Sequence, residues 1–91
     1  MQFEWDEAKD ETNKRKHDIS FYTAQYAFSD PNRVIAEDLN HSNEDEKRYF
    51  CFGKADGEII TVRFMVREDK IRIIGAGYWR KGKRIYEKEN S

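Results

Sequence analysis

The sequence predicts a single α+β domain spanning residues 1–91. Two N-terminal helices should pack on one side of a four-stranded antiparallel sheet, with a basic helix at the C-terminus. Three observations lead there. Phe21, Ala24, Ala27 and Phe28 recur at helical spacing in the first third of the chain. From Arg33 onward, β-branched and aromatic runs are separated by short turn signals such as Asp56-Gly57 and Glu68-Asp69, so consecutive strands should pair as hairpins. Helices followed by hairpin-linked strands, in 91 residues with room for one modest core, give helices segregated to one face of a sheet.

Each element has its own signals. Phe3-Glu4-Trp5 is long enough only for an edge strand or an extended lead-in. Asp6 stands at a helix N-cap, and Glu7 to His17 grades from acidic to basic in the sense that suits the helix dipole. Ala8 and Thr12 are the only obvious core candidates of this helix, which makes it a surface element. Asp18 is a plausible left-handed helix end and Ser20 a second N-cap. The apolar stripe from Phe21 to Phe28 stops before the turn at Asp30-Pro31-Asn32. Strands are expected at Arg33–Asp38, Arg48–Gly53, Glu58–Arg67 and Lys70–Ala76, with a polar acidic loop over Asn40–Glu46. His41 in that loop has no second His or Cys at metal-ligand spacing, so no metal and no cofactor are expected.

Composition narrows the function classes. Charged residues make up 38% of the chain and hydrophobic ones 37%, yet 13 aromatics and alternating β-branched runs argue against disorder. No apolar run approaches the length of a membrane span, and the N-terminus lacks the regions of a signal peptide. The single cysteine, Cys51, precludes an internal disulfide and fits a reducing compartment. A soluble cytoplasmic protein is expected. The net charge of −1 conceals an asymmetry, because residues 1–62 balance to −6 and residues 63–91 to +5. A basic region on a nearly neutral chain points to a localised site for nucleic acid or for an acidic partner.

That region begins in the last hairpin. With Glu68-Asp69 as a two-residue turn, Arg67 pairs with Lys70, Met65 with Arg72 and Arg63 with Ile74. Alternation then sets Val62, Phe64, Val66, Ile71 and Ile73 on a core face, and Arg63, Met65, Arg67, Lys70 and Arg72 on the other. Four cations on one face require either a bound anion or carboxylate partners, with Glu37, Asp38 and the acidic loop nearest to hand. Gly75 and Gly77 suit a strand end, and beyond them Arg80, Lys81, Lys83 and Arg84 surround Tyr86. This run fits a phosphodiester site with a proton-transfer group, or a solvated helix.

The chain resembles the BrnT toxins of type II toxin–antitoxin pairs. The resemblance rests on Trp5-Asp6-Glu7-Ala8-Lys9, Asn13, Lys16-His17 and Ile19-Ser20-Phe21, then Arg48, Gly53, Arg67, Ile71-Arg72-Ile73-Ile74 and the closing Tyr86-Glu87. It implies a RelE-like fold and an endoribonuclease, of the mRNA-interferase kind, that halts translation. It also implies a BrnA-like ribbon-helix-helix antitoxin in a heterotetramer, with operator DNA bound only through that antitoxin. One departure stands out. The Ser-Ala-Arg that ends the strand in much of that family is Gly75-Ala76-Gly77 here, so either Arg80 or Arg84 substitutes for the arginine or activity is reduced.

RNA cleaves itself when a 2′-OH attacks the adjacent phosphate, and a protein assists with a base, an acid and cations around the phosphorus. No metal is needed for this, and only RNA supplies the hydroxyl. The catalytic candidates are Arg67, Arg72, Arg80 and Arg84 to hold phosphates, with Tyr86, Lys83 or Lys81 to move a proton. Lys9, Lys16, His17, Arg63, Lys70 and Lys81 are the candidates for RNA binding, His17 also being suited to capping a helix end. Two other classes fit the sequence less fully. A non-catalytic module would use its basic sheet face to bind an acidic protein, and a DNA-binding regulator would need a recognition helix, of which there is no pattern.

Overall fold

A computed structural model describes residues 2–91. Its elements are β1 (Gln2–Trp5), α1 (Glu7–His17), α2 (Phe21–Ala24) continued by a 3₁₀ turn (Gln25–Ser29), β2 (Val34–Glu37), β3 (Tyr49–Ala55), β4 (Glu58–Arg67), β5 (Lys70–Gly77) and α3 (Arg80–Glu89). The fold is α+β with three helices, but the sheet differs from the expectation of four antiparallel strands. It has five strands in the order β1-β5-β4-β3-β2, and β1 runs parallel to β5, Phe3 beside Ile71 and Trp5 beside Ile73. No turn residue encodes a pairing between the two ends of the chain. The Phe3-Glu4-Trp5 segment is the edge strand.

The turns follow their chemistry. Both hairpin turns have two residues with positive φ, Asp56 (52°) with Gly57 (78°) and Glu68 (51°) with Asp69 (65°), the geometry that matches strand twist. Asp18 ends α1 in the left-handed region, φ 58°. Asp6 caps α1 by accepting from the amides of Ala8 and Lys9, and Ser20 caps α2 through Thr23.

The core lies between the sheet and α2 with its 3₁₀ continuation. Phe21, Ala24 and Ala27 pack on Cys51, Ile60, Val62, Phe64, Ile71, Ile73 and Ala76, with Trp5, Phe28 and Tyr49 around them. Each large apolar side chain buried there contributes roughly 1.5–3 kcal/mol. Two expected faces need correction. Val66 is 56% exposed, because β4 overruns β3, whose pairing ends at Tyr49 opposite Phe64. Met65, expected among the exposed cations, is buried.

The anchoring of α1 also differs from expectation. Ala8 is exposed and Thr12 half-buried, whereas Asp10 and Asn13 are buried. Asp10 accepts from the Phe21 amide at 2.8 Å, joining α1 to the start of α2. Asn13 donates to the carbonyls of Ile19 and Ala76, both at 3.0 Å, and accepts from the Ala76 amide at 3.2 Å. Past the end of β1, the Asn13 side chain thus satisfies the β5 edge as a neighbouring strand would. The helix is held by polar groups and not by an apolar stripe.

The basic C-terminal run forms α3, which lies on the opposite face of the sheet from the core. Gly82 faces Thr61 and Phe52, a cross-strand pair whose chain neighbours Cys51 and Val62 point into the core. A Cβ on Gly82 would fall on Thr61 Oγ1 and lie 2.9 Å from the Phe52 ring, so glycine permits this approach.

Candidate nucleic-acid interface

Arg63 occupies the middle of the face that α3 leaves open. The register between β4 and β5 slips there: Phe64 pairs with Ile73, but Arg63 pairs with Gly75 and not with Ile74 as the turn-based count expected. Ile74 is the extra residue of a bulge, a device that re-aims neighbouring side chains. The Arg63 guanidinium lies over Gly75, with Nη1 3.6 Å from where a Cβ would stand.

Three depressions meet at this side chain. The first, of about 490 Å³, runs along α1 and is bordered by Lys9, Lys16, His17 and Trp79. The second, of about 390 Å³, is bordered by Arg48, Arg67, Arg72 and Glu46. The third, of about 600 Å³, opens under α3 between Phe50, Phe52, Trp79, Lys81 and the β2–β3 loop. Arg63 borders all three.

The carboxylates that a basic face requires come from the acidic loop, as expected, and from β1, but not from Glu37 or Asp38. Arg72 pairs with Glu4 at 3.3 Å, an indirect product of the parallel β1–β5 pairing. Glu46 lies 3.2 Å from Arg48 and 3.8 Å from Arg67. Arg63 has no ion pair among the described residues. It is half-buried, so an anion meeting it would displace no protein carboxylate from an ion pair among the described residues.

The C-terminal candidates separate. Lys81 faces the third depression beside Arg63. Arg80 and Lys83 border a different hollow of about 450 Å³, with Lys54 and Tyr78 near the β3–β4 turn. Arg84 is exposed on α3, and Lys70 is half-buried at the β4–β5 turn. Tyr86 is buried and donates to Asp30 Oδ2 at 2.6 Å. That bond, reinforced by burial, pushes the Tyr86 hydroxyl up to about 12. Burial opposes ionisation of Asp30, yet the bonds from Tyr86 and from the amides of Asn32 and Lys54 hold its carboxyl below the ordinary range. Tyr86 ties α3 to the turn before β2, away from the depressions around Arg63. His17 sits at the end of α1, edge-on to Trp79 with ring centroids 5.2 Å apart.

Residues 5–82 match the family model described as the ribonuclease toxin, BrnT, of type II toxin–antitoxin systems. The chain belongs to the BrnT toxin family. Among curated proteins none matches it. Membership makes the chain a ribonuclease toxin by family and implies an antitoxin partner. No helix among the described residues is long and apolar enough to cross a membrane.

In this BrnT chain several residues of the cleft escaped sequence reasoning as site residues. Phe50, Phe52 and Trp79 give the third depression aromatic walls, and His41 stands at its rim. Phe50 and Phe52 looked like ordinary strand residues, and Trp79 like one of two aromatics between the last strand and the basic run. His41 drew attention only as a metal ligand, although its spacing from Asp38 already allowed a turn-bridging contact. No group of three His, Cys, Asp or Glu side chains converges among the described residues, and His41 meets the single carboxylate of Asp38. Cys51 is buried in the core, which pushes its thiol up to about 12 and leaves it a packing residue.

Proposed function

We propose that this BrnT chain cleaves RNA by internal transesterification without a metal, and so inhibits translation in the cytoplasm. Arg63 grips the phosphate at the cleavage position, and Lys9, Lys16, Arg67 and Arg72 guide the neighbouring phosphates along the two flanking depressions. Lys81 faces the same phosphate from α3. Arg80, Lys83 and Arg84 extend the positive field on the outer side of that helix. A ribbon-helix-helix antitoxin in a heterotetramer neutralises the toxin, and operator DNA is bound through that antitoxin.

The observation that carries this reading is Arg63, a half-buried guanidinium without a carboxylate partner among the described residues, where three depressions meet. A structural arginine in the middle of a sheet would have its charge answered, as those of Arg67 and Arg72 are. Guanidinium geometry suits a phosphate, and its stabilisation of the transition-state charge needs no movement.

The test pairs growth with RNA chemistry. The chain is expressed from a tightly repressed promoter beside Arg63→Gln, and both purified proteins are incubated with a labelled RNA in EDTA. The wild type should arrest growth and cleave RNA in the chelator, leaving 2′,3′-cyclic phosphate ends. Arg63→Gln should lose cleavage by about 100-fold or more, the scale of removing one charge-stabilising donor. Its binding should show a salt slope shallower by about one unit, as expected when one phosphate contact is lost. Cleavage that requires an added divalent ion overturns the metal-independent mechanism. Soluble, folded wild type that leaves RNA intact would put a non-catalytic module binding an acidic protein in first place.

A further inference from the structure

The β2–β3 loop carries a side-chain pair that no role above uses. His41 Nδ1 and Asp38 Oδ2 are 2.8 Å apart. Asp38 is buried at 5% exposure, whereas the His41 side chain is 57% exposed. Within the described residues, His41 is the one side-chain partner of this buried carboxylate. A carboxylate acceptor favours the tautomer with its proton on Nδ1 and leaves Nε2 without a side-chain partner among the described residues, on a residue that borders the third depression. An imidazole oriented in this way presents its second nitrogen as a proton acceptor.

The loop that presents the pair is firmly built. Ser42 Oγ donates to the Asp38 carbonyl at 2.7 Å and accepts from the Arg48 amide at 2.8 Å, while the Asp38 amide donates to the Arg48 carbonyl at 2.7 Å. Asn43 Oδ1 accepts from the amides of Asp45 and Glu46. A loop so tied holds an exposed side chain in register without burying it.

The surroundings suit RNA. His41, Asp38, Arg63 and Lys81 border one depression, with Phe50, Phe52 and Trp79 as its aromatic walls. Two cations for a phosphate, rings for an unpaired base and an oriented imidazole are the parts that RNA transesterification uses. Thr61 Oγ1, which lines the same depression, is buried without a hydrogen-bond partner among the described residues.

We propose that His41 is the general base of the RNA cleavage reaction and that Asp38 is its positioning residue. This rests on the ribonuclease reading above. His41 Nε2 takes the proton of the 2′-OH as the O2′–P bond forms. The P–O5′ bond breaks, and the leaving O5′ receives a proton from the Lys81 ammonium. The products are a 2′,3′-cyclic phosphate and a 5′-hydroxyl, and exchange with water restores both side chains. The charged groups facing His41 across the depression are Glu37 and Asp38 from the β2 side, Arg63 from β4 and Lys81 from α3.

The experiment measures the pH–rate profile of the purified chain on an RNA with one cleavable linkage, for wild type, His41→Gln, His41→Gly and Asp38→Asn. Thermal unfolding and RNA affinity are recorded in parallel. His41→Gln should lower kcat by 10²–10⁴-fold, the contribution of a positioned base. The acidic limb of its profile should vanish, with RNA affinity changed less than about threefold. Free imidazole should restore part of the rate to His41→Gly. Asp38→Asn should lower kcat at little-changed RNA affinity, because an amide no longer fixes the imidazole with its proton on Nδ1. Wild-type cleavage with an unchanged profile in folded His41→Gln overturns the assignment and leaves the ribonuclease reading intact. So does an acidic limb that survives His41→Gln and disappears in His17→Gln. A wild type inactive on RNA overturns the ribonuclease reading, and His41 falls with it.

Discussion

Tyr86→Phe separates architecture from chemistry in the basic C-terminal helix. The substitution removes one atom, the hydroxyl that donates to Asp30 at 2.6 Å, and leaves the buried ring in place. Asp30 keeps the amides of Asn32 at 2.9 Å and Lys54 at 2.8 Å, so its carboxylate is weakened in support but not orphaned. A hydrogen bond to a charged group is worth about 1.5–3 kcal/mol, and the retained amides favour the lower half of that range. A loss of about 2 kcal/mol in a domain of this size lowers Tm by roughly 8–16 °C. The effect should depend on pH in a stated direction. The unfolded tyrosine ionises near 10 and the folded one near 12, so the bond contributes fully below pH 10 and is lost as pH rises to 12. At the acid end the contribution fades as pH falls through the lowered Asp30 carboxyl. The Tm difference between the two proteins should therefore be flat around neutrality and close above pH 10. RNA cleavage at 20 °C, where both are folded, should be within about threefold of wild type, because a rate change of tenfold or more would need a shift of at least ~1.4 kcal/mol in the barrier. Equal Tm values, or intact stability with cleavage reduced a hundredfold, would refute the anchoring role and return Tyr86 to the chemistry.

Two further substitutions test how the helices are held. Asn13→Ala deletes three hydrogen bonds and strands the Ala76 amide and two carbonyls in the interior, so urea unfolding should show a loss of about 2–4 kcal/mol; less than 1 would mean that water replaces the side chain. Gly82→Ala presses a methyl onto Thr61 and the Phe52 ring, and overpacking of this kind costs about 1–3 kcal/mol. Limited proteolysis should then cut first within Arg80–Glu89, and an undisturbed digestion pattern would argue against the close approach.

The parts of the fold written in short-range chemistry were legible. Asp6, Asp18 and Ser20 marked the helix ends, and the Glu68-Asp69 turn placed Arg67 opposite Lys70 and Met65 opposite Arg72. The parts set by distant or polar contacts were not. The parallel β1–β5 pairing joins the chain's first residues to residues 70–73 without any turn to announce it. Asp10 and Asn13 resemble any surface helix residues until the backbone groups they satisfy are known. The bulge at Ile74 changes which residue faces Arg63, and no residue type in the hairpin signals it. The candidate site divides in the same way. The cationic face was legible from alternation and the acidic loop did supply Glu46 to Arg48 and Arg67, whereas the Arg72 pair depends on Glu4, which the fold brings from elsewhere. Tyr86 stood out for its basic neighbours, yet its environment is set by Asp30, far back in the chain.

The glycine that ends β5 bears on whether the missing arginine matters. A Cβ at Gly77 would stand 2.7–2.9 Å from three atoms of the Trp79 ring, so the indole lies directly on the glycine. Trp79 also meets His17 edge-on and borders the depressions on both sides of Arg63. Glycine at 77 and tryptophan at 79 therefore form one unit, and a larger residue at 77 requires the indole to move. The space beside Gly77 is filled by an indole, a ring able to stack on an unpaired base. Charge at this end of the sheet comes instead from Arg63, one strand across, and from Lys81, at the start of α3. Neither depends on an arginine at 77. Gly77→Arg consequently adds no cation to an otherwise unaltered cleft, since it displaces Trp79.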